Sequence, residues 1–349
     1  MEPLDDAKFS GTKEVAEHLT IEVSNLQPWI DEFVPRAGKI NSIEQFKGGQ
    51  SNPTYKIVTE SKNLVLRRKP PGKLLPSAHA VDREYKVITA LYETDVPVPK
   101  TYGLCEDDEI AGTAFFVMDF LDGDLFWNPM IPSLSNQDRT EIYQNKNKTL
   151  ALLHGVDYKK IGLEDYGKPG NYVARQVARW SKQYRASETD DIEAMNNLID
   201  WLPKNIPDDD ETSIVHGDYR LDNMILKNNQ VMGILDWELS TLGHPIADFS
   251  YHCLSWRTQE AFWDQAKLKE LGVPSEKEYM DMYCENTGKD LSKNWEFYMA
   301  FNMFKIAGIL QGILGRVRDG TASSKHAEDR GMMVYPLSEA AWNTIKENF

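Results

Sequence analysis

Two acids and one amide are spaced in a way that suits the transfer of a phosphoryl group. Asp218 is followed by Asn223 five residues later and by Asp236 thirteen residues after that. Transfer of a γ-phosphoryl group needs a side chain that aims the acceptor hydroxyl and receives its proton, and a carboxylate such as Asp218 suits both tasks. Magnesium prefers hard oxygen ligands and keeps several waters, so Asn223 and Asp236 suffice as its protein ligands.

Each of these residues also has an ordinary structural interpretation. His216 and Asp218 could cap a turn, and Asn223 could simply end a loop. The joint spacing favours chemistry, because the apolar run 224–226, the turn-prone residues 227–230 and the second run 231–235 predict a two-stranded hairpin. Such a hairpin would hold the acid and the amide before its first strand close to the acid after its second.

The same segment resembles the aminoglycoside phosphotransferase and choline kinase superfamily. The likeness rests on H-G-D-x-x-x-x-N at 216–223, on I-L-D-W-E at 234–238 and on G-x-P-x-x-D at 243–248. It runs from about residue 46 to residue 256 and is strongest to the branch found as the kinase-like domain joined to acyl-CoA dehydrogenases. The resemblance implies an α+β, protein-kinase-like fold of two lobes, with a small five-stranded antiparallel β lobe and a larger, mainly helical lobe.

The resemblance also assigns supporting roles around the catalytic segment. His216 belongs to the H-G-D motif, and Asp248 matches the family's structural acid, which steadies the catalytic loop by hydrogen bonds. His244 stands where members often have an acid, so no catalytic role is assigned to it. Only twelve positions separate Asp236 from Asp248, which leaves no room for the peptide-binding platform of a protein kinase. A small-molecule acceptor is therefore expected.

The N-terminal third is predicted to bind ATP. Three strand-like runs at 40–46, 55–59 and 64–67 follow a helical face before Pro35. A turn-rich link between the first two could lay its backbone N–H groups over phosphates, although such links also occur in ordinary hairpins. The predicted phosphate-binding residues of this link are Gly48, Gly49, Gln50, Ser51 and Asn52.

Arg67 and Glu84 are predicted to position the nucleotide phosphates together. Arg67 ends an apolar strand where a kinase would place its phosphate-binding lysine, and this departure from lysine matches the branch named above. Its planar guanidinium can still bind phosphate oxygens. Glu84 lies on the inward side of a helix predicted from Ser77 to Glu93, although a solvated helix charge is the ordinary alternative.

Two more strands, 101–105 and 115–119, complete the predicted small lobe. The backbone that contacts adenine is expected at Asp119, which ends the second of these strands, and at Phe120 and Leu121 of the hinge that follows. The expected domains are therefore a β-rich nucleotide-binding lobe with a leading helix at 1–119, a hinge at 120–124 and a helical catalytic and substrate lobe at 125–349.

Helical patterns dominate the larger lobe. A pattern like a capping box at Ser135 predicts the start of a helix that runs to about Gly155. A second helix is predicted near 171–186. The second helix carries Arg175, Arg179 and Lys182 along one face. A solvated basic stripe is the default interpretation, and contact with the acceptor is the functional one.

The charge and composition of the chain limit the classes of partner and site that are expected. A net charge of −15 disfavours nucleic acid and anionic membrane surfaces. No run of 18 apolar residues and no signal-peptide core are found, so a cytoplasmic protein is expected. The three cysteines are too few and too scattered for a disulfide framework or a zinc site.

These observations predict an ATP- and Mg2+-dependent kinase that acts on a hydroxyl group of a small molecule. The basic helix and the resemblance favour a hydroxyacyl-CoA or another anionic hydroxy compound. An aminoglycoside kinase and a catalytically silent, nucleotide-binding pseudokinase are the alternatives. A two-metal phosphohydrolase would need more histidines and acids than the chain offers. The oligomeric state and the choice between ATP and GTP do not follow from the sequence.

Overall fold

The computed structural model describes residues 10–48, 52–72, 79–259, 262, 264–322 and 326–349. The strands among them are β1 Thr12–Lys13, β2 Ile40–Phe46, β3 Thr54–Thr59, β4 Asn63–Arg68, β5 Thr101–Cys105, β6 Phe115–Asp119, β7 Ser213–Val215, β8 Met224–Lys227, β9 Gln230–Ile234 and β10 Thr241–Gly243. The helices among them are α1 Val23–Phe33, α2 Val81–Leu91, α3 Asp108–Ala111, α4 Asn136–Gly155, α5 Tyr172–Ala186, α6 Glu193–Trp201, α7 Pro245–Cys253, α8 Ser255–Thr258, α9 Gln265–Leu271, α10 Glu276–Thr287, α11 Trp295–Arg318, α12 Ala327–Met332 and α13 Val334–Asn348.

The first six strands form one antiparallel sheet in the order β1-β2-β3-β4-β6-β5. The five predicted strands are all present, and alternation explains them, because Tyr55, Ile57 and Thr59 of β3 point to the buried side. The predicted number of strands is corrected from five to six. The additional strand, β1, is two residues long and pairs with the end of β2, and so short a strand carries no alternation to detect.

Helix α1 covers one face of this sheet. Leu26, Trp29 and Ile30 are buried, and the Trp29 ring meets the Phe115 ring edge-on with centroids 5.1 Å apart. Gly103 of β5 permits this approach, because a Cβ at that position would lie 3.0 Å from the Trp29 ring. The apolar spacing before Pro35 therefore predicted a packing helix, and that prediction is confirmed.

The larger lobe is built on long helices. The predicted helices near 135–155 and 171–186 are present as α4 and α5, and the Ser135 hydroxyl caps α4 by accepting a hydrogen bond from the N–H of Asp138. Helices α6, α7, α8, α12 and α13 had not been predicted. All three cysteines are free thiols.

Helix α11 is, in the part of the chain that the structure describes, the one helix long and apolar enough to span a bilayer. Its length is 24 residues, and 67% of its apolar stretch is buried inside the protein. It packs against α5, α7, α12 and α13. Those contacts are the ones expected of a core helix.

The catalytic segment folds as predicted around a hairpin. Strands β8 and β9 pair in antiparallel fashion, and a two-residue turn joins them. Asn228 and Asn229 have φ values of 51° and 62°, the left-handed conformations that a type I′ turn requires. The hairpin is also bonded to the segment after β6, because Asp124 and Leu226 exchange backbone hydrogen bonds of 2.7 and 2.8 Å. Gly123 allows this contact, since a Cβ there would lie 2.4 Å from the Leu226 carbonyl oxygen.

Candidate active site

The loop that carries Asp218 follows β7 and is held in place by the buried carboxylate of Asp248. The N–H groups of His216 and Gly217 each donate a hydrogen bond of 2.9 Å to this carboxylate. Burial acts to raise the pKa of Asp248, but His154 and the loop N–H groups hold it below its ordinary value. Gly217 has a φ of 83° and touches Leu239, so the turn needs glycine. Asp248 lies where a loop-steadying acid was predicted.

The histidines of this region contact backbone oxygens and side chains of the surrounding fold. His216 is fully buried, and its Nε2 lies 2.9 Å from the Leu235 carbonyl oxygen. His154 lies between Asp248 and the Tyr283 hydroxyl, at 3.2 and 2.6 Å. His244 contacts the Asp209 carbonyl oxygen at 2.6 Å. These contacts agree with supporting roles for the three side chains.

Asp218 and Asn223 are in direct contact. The Asn223 side-chain nitrogen donates to the backbone oxygen of Asp218 at 2.9 Å and to its carboxylate at 3.1 Å. The Arg220 Nε lies 3.2 Å from the other carboxylate oxygen. Arg220 was absent from the predicted site, although it stands within the H-G-D motif two positions after Asp218. The Asp218 side chain keeps 23% of its surface exposed, so an acceptor can reach it.

Asp236 follows β9 in a left-handed conformation, with a φ of 63°. Its carboxylate oxygen lies 2.5 Å from Nη2 of Arg67, and Nε of Arg67 lies 2.8 Å from the Glu84 carboxylate. The predicted pair of Arg67 and Glu84 is thus present, and Arg67 links it to Asp236. Burial raises the pKa of Glu84 to about 7; the charge of Arg67 opposes this rise, and the charge of Asp236 adds to it.

Asn52 extends this buried cluster into the glycine-containing link. Its side-chain nitrogen donates to Glu84 at 2.9 Å, and Nδ1 of His79 lies 3.1 Å from its side-chain oxygen. Asn52 therefore holds the end of the link against α2 with its side chain. Gly48 lies in a bend after β2 and is half-buried. The predictions for Gly49, Gln50 and Ser51 lie outside the described residues.

The chemistry of the donor set fits magnesium. Asp236 offers a carboxylate that is 32% exposed, and Asn223 turns its amide nitrogen toward Asp218, which directs its amide oxygen away from that residue. One carboxylate and one amide oxygen are a sufficient protein contribution when phosphate oxygens and water complete the octahedron. No cluster of three or more His, Cys, Asp or Glu residues suited to a metal occurs among the described residues.

The predicted hinge residues lie between the sheet and the hairpin. The Asp119 carboxylate accepts a hydrogen bond of 2.6 Å from the Tyr102 hydroxyl, and its N–H donates to the Lys100 carbonyl oxygen. An adenine contact from Asp119 would therefore have to use its carbonyl oxygen. The Phe120 ring stacks on Phe46 with centroids 6.4 Å apart. Leu121 packs on Gly233 of the hairpin.

The three cations of helix α5 have different surroundings. The Arg175 guanidinium donates to the backbone oxygens of Gly170 and Lys168, just before its own helix. Arg179 and Lys182 are exposed. A role in acceptor binding thus suits Arg179 and Lys182 better than Arg175, whose donors are already used.

Comparison with known proteins identifies the family. The family model described as "Phosphotransferase enzyme family" matches residues 42–283. The mouse protein named acyl-CoA dehydrogenase family member 10 is 45% identical over 313 residues, which cover 87% of this chain and 29% of that protein. The chain thus spans less than a third of the length of this relative.

Solved structures show the same fold. A candidate aminoglycoside phosphotransferase from Ralstonia eutropha has 48% sequence identity and a TM-score of 0.86, covering 95% of this chain and all of that one. Choline kinase from Cryptosporidium parvum has 12% identity and a TM-score of 0.64, covering 93% and 96% of the two chains. An aminoglycoside phosphotransferase in complex with ADP and hygromycin B has 13% identity and a TM-score of 0.61, covering 91% and 98%. The predicted kinase-like fold is confirmed.

Proposed function

The chain belongs to the phosphotransferase enzyme family, and we propose that it transfers the γ-phosphoryl group of ATP, with Mg2+ bound, to a hydroxyl group of an anionic small molecule. The observation that carries this proposal is that the Asn223 side chain donates hydrogen bonds to both the backbone oxygen and the carboxylate of Asp218. A domain that only binds nucleotide has no need for an exposed carboxylate fixed in this way.

Asp218 receives the proton of the acceptor hydroxyl in this mechanism. Its carboxylate is oriented by Asn223 on one oxygen and by Arg220 on the other. A positioned carboxylate aims the hydroxyl along the line of transfer, and orientation of this kind supplies much of the rate in phosphoryl transfer.

Arg67, Glu84 and Asp236 serve the nucleotide. Asp236 and Asn223 would hold the metal, and the bound ion would neutralise charge on the phosphates. Glu84 is 1% exposed and holds the Arg67 guanidinium from behind. Arg67 would bind the phosphates through its outer nitrogens, and Asp236 would hold the ion. The ADP complex of a related fold supports ATP as the donor.

A hydroxyacyl-CoA is the acceptor that we favour. The related proteins are named as acyl-CoA dehydrogenases or members of that family, and each contains a region similar to this chain, so a phosphorylated acyl-CoA could pass between two activities of one such protein. The phosphates of CoA also suit the exposed cations of α5. An aminoglycoside is the second candidate, because a protein of 48% identity is described as a candidate aminoglycoside phosphotransferase.

A comparison of acceptors tests this proposal. ADP release is measured with MgATP and hydroxybutyryl-CoA, with kanamycin, and with no acceptor. Release that depends on hydroxybutyryl-CoA and is absent with kanamycin supports the anionic class. Turnover of kanamycin alone would refute that class while keeping the phosphotransferase activity. Identical release in all three reactions would contradict transfer to a small-molecule hydroxyl.

A further inference from the structure

Lys305 on α11 contacts α7, the helix whose Asp248 holds the catalytic loop. The buried side chain of Asn302 donates hydrogen bonds of 2.9 and 2.8 Å to the Ala247 carbonyl oxygen and the Ser250 hydroxyl of α7. Lys305 follows one turn later on the same face of α11. Its ammonium group lies 4.2 Å from the centre of the Tyr251 ring. The two helices therefore bring Lys305 and Tyr251 together.

Tyr251 lies on the helix that holds the catalytic loop. It lies three residues after Asp248 on α7, on the face where Asp248 binds the N–H groups of the catalytic loop. Burial raises the pKa of Tyr251, and the Asp218 carboxylate acts in the same direction. The Asp218 charge acts on Lys305 as well. Burial lowers the pKa of Lys305, whereas the charges of Asp248 and Asp218 act to raise it.

Lys305 has no carboxylate of its own within the described part of the chain. None of the ion pairs formed there includes it. The nearby acids are used elsewhere, since Asp248 binds the loop and Asp218 binds Asn223 and Arg220. A half-buried ammonium without an anion is unfavourable unless a ligand supplies one.

A second cation points to the same chemistry. Helix α5, which carries Arg179, packs against α11, and the charge of Arg179 acts to lower the pKa of Lys305. Arg179 is exposed and free to contact a ligand. Two cations on helices that pack together attract an anion and repel a polycation.

We infer that Lys305, seated on the Tyr251 ring, binds a carboxylate, phosphate or acyl carbonyl oxygen that lies near the reacting hydroxyl of the acceptor, and thereby positions that hydroxyl at Asp218. This inference rests on the proposed function and names the residue that selects the substrate class. A lysine suits this task because its ammonium donates up to three hydrogen bonds to carboxylate, phosphate or thioester-linked acyl groups without fixing their geometry.

Kinetics of two substitutions test the inference. Lys305→Met keeps the stem and removes the charge, and we expect the KM for hydroxybutyryl-CoA to rise by about tenfold or more, the effect of losing one charge-assisted contact. The KM for ATP should stay within about twofold, because no nucleotide contact is assigned to Lys305. Lys305→Arg retains the charge and should recover most of the acceptor affinity. Lys159→Met is the matched control, since Lys159 is an exposed lysine that also lies over a tyrosine ring.

A protection experiment on the unmodified protein covers the case in which Lys305→Met does not fold. Lys305 is acetylated with a water-soluble reagent and quantified by mass spectrometry, with Lys159 as the internal reference. Hydroxybutyryl-CoA should protect Lys305, and Mg2+ with a non-hydrolysable ATP analogue alone should not. Equal acetylation with and without the acyl-CoA, or an unchanged acceptor KM in a folded Lys305→Met protein, would overturn the inference. If the unmodified protein phosphorylates no acceptor, the proposed function fails instead.

Discussion

Asp218 and Asp236 are two carboxylates with different neighbours, and the difference gives them different tasks. Asp218 contacts an amide nitrogen and the exposed Arg220, whereas Asp236 contacts Arg67, which is buried and shared with Glu84. The first arrangement leaves an oriented carboxylate facing the acceptor. The second arrangement links Asp236, the proposed metal ligand, to Arg67, the proposed phosphate-binding group.

Replacement of Asp218 should separate chemistry from nucleotide binding. Asp218→Asn should lower kcat by about 10²- to 10⁴-fold, the usual contribution of a positioned general base. The dissociation constant of MgATP, measured by calorimetry, should stay nearly unchanged, because Asp218 makes no predicted contact with the nucleotide. Normal turnover by a folded Asp218→Asn protein would refute the assignment of Asp218 as the group that receives the proton.

Replacement of Asp236 should affect binding and turnover together. Asp236→Ala removes a ligand of the ion that neutralises the phosphates, so the magnesium dependence of ATP binding should weaken along with kcat. Asn223→Ala should show the same pattern more mildly. Asp157→Ala is the matched control, since it removes a surface carboxylate that pairs with Lys160 outside the site. An unchanged magnesium dependence in Asp236→Ala would place the metal elsewhere.

The hairpin is the element that sets the distance between these acids. Its strands pair from Met224 with Ile234 to Lys227 with Gln230, and the N–H of Leu235 donates to the Asn223 carbonyl oxygen at 2.8 Å. The chain on both sides of the hairpin is therefore fixed by backbone hydrogen bonds. A loss of hairpin geometry should move Asn223 and Asp236 apart.

The turn of the hairpin tests this dependence on backbone conformation. Asn228 has a φ of 51°, which glycine adopts freely and a β-branched residue resists. Asn228→Val should lower the free energy of unfolding by about 1 to 2 kcal/mol, and Asn228→Gly should change it by less than about 0.5 kcal/mol. Urea denaturation measures both. Equal stability of the Val and Gly variants would show that the turn imposes no such demand.

Lys146 on α4 makes the free energy of unfolding of the protein depend on pH. It is 4% exposed, and burial lowers its pKa to about 8, whereas an unfolded lysine titrates near about 10.4. Below pH 8 both states are protonated and the cost of burying the charge is present in full. Between about pH 8 and 10.4 the folded state has lost the proton that the unfolded state keeps, so the free energy of unfolding rises with pH.

Lys146→Met should therefore be more stable than the unsubstituted protein at pH 7, by up to about 3 kcal/mol. The stability gap should close as the pH rises from 8 toward 10. Urea denaturation of both proteins at pH 7 and at pH 10 measures the gap. A gap that is the same at both pH values would mean that burial does not shift the titration of Lys146.

At the scale of the whole molecule, the sequence predicted what depends on local pattern. The alternating strands, the Ser135 cap and the turn of two asparagines are each encoded by a few adjacent residues, and all are present. The additional strand β1 was missed because its pairing depends on the distant end of β2. Lys305 and Tyr251 were missed because their meeting depends on how α11 packs against α7.

The same distinction applies to the residues of the site. Asp218, Asn223 and Asp236 could be selected because their spacing lies within one motif. The buried role of Asn52 could not be foreseen, since it depends on its contact with Glu84 from a separate helix. The contacts of Arg175 could not be foreseen either. Its position on the basic face did not indicate that its guanidinium would donate hydrogen bonds to backbone oxygens.

The most direct test of the whole account is the appearance of a phosphorylated acceptor. The purified protein is incubated with MgATP and hydroxybutyryl-CoA, and the acyl-CoA is analysed by mass spectrometry. We predict that it gains one phosphoryl group, that one ADP forms for each product, and that the product is nearly absent when Asp218→Asn replaces the unsubstituted protein. Product formed equally well by the Asp218→Asn protein, or ATP consumed with no phosphoryl group on any hydroxyl acceptor, would contradict the account.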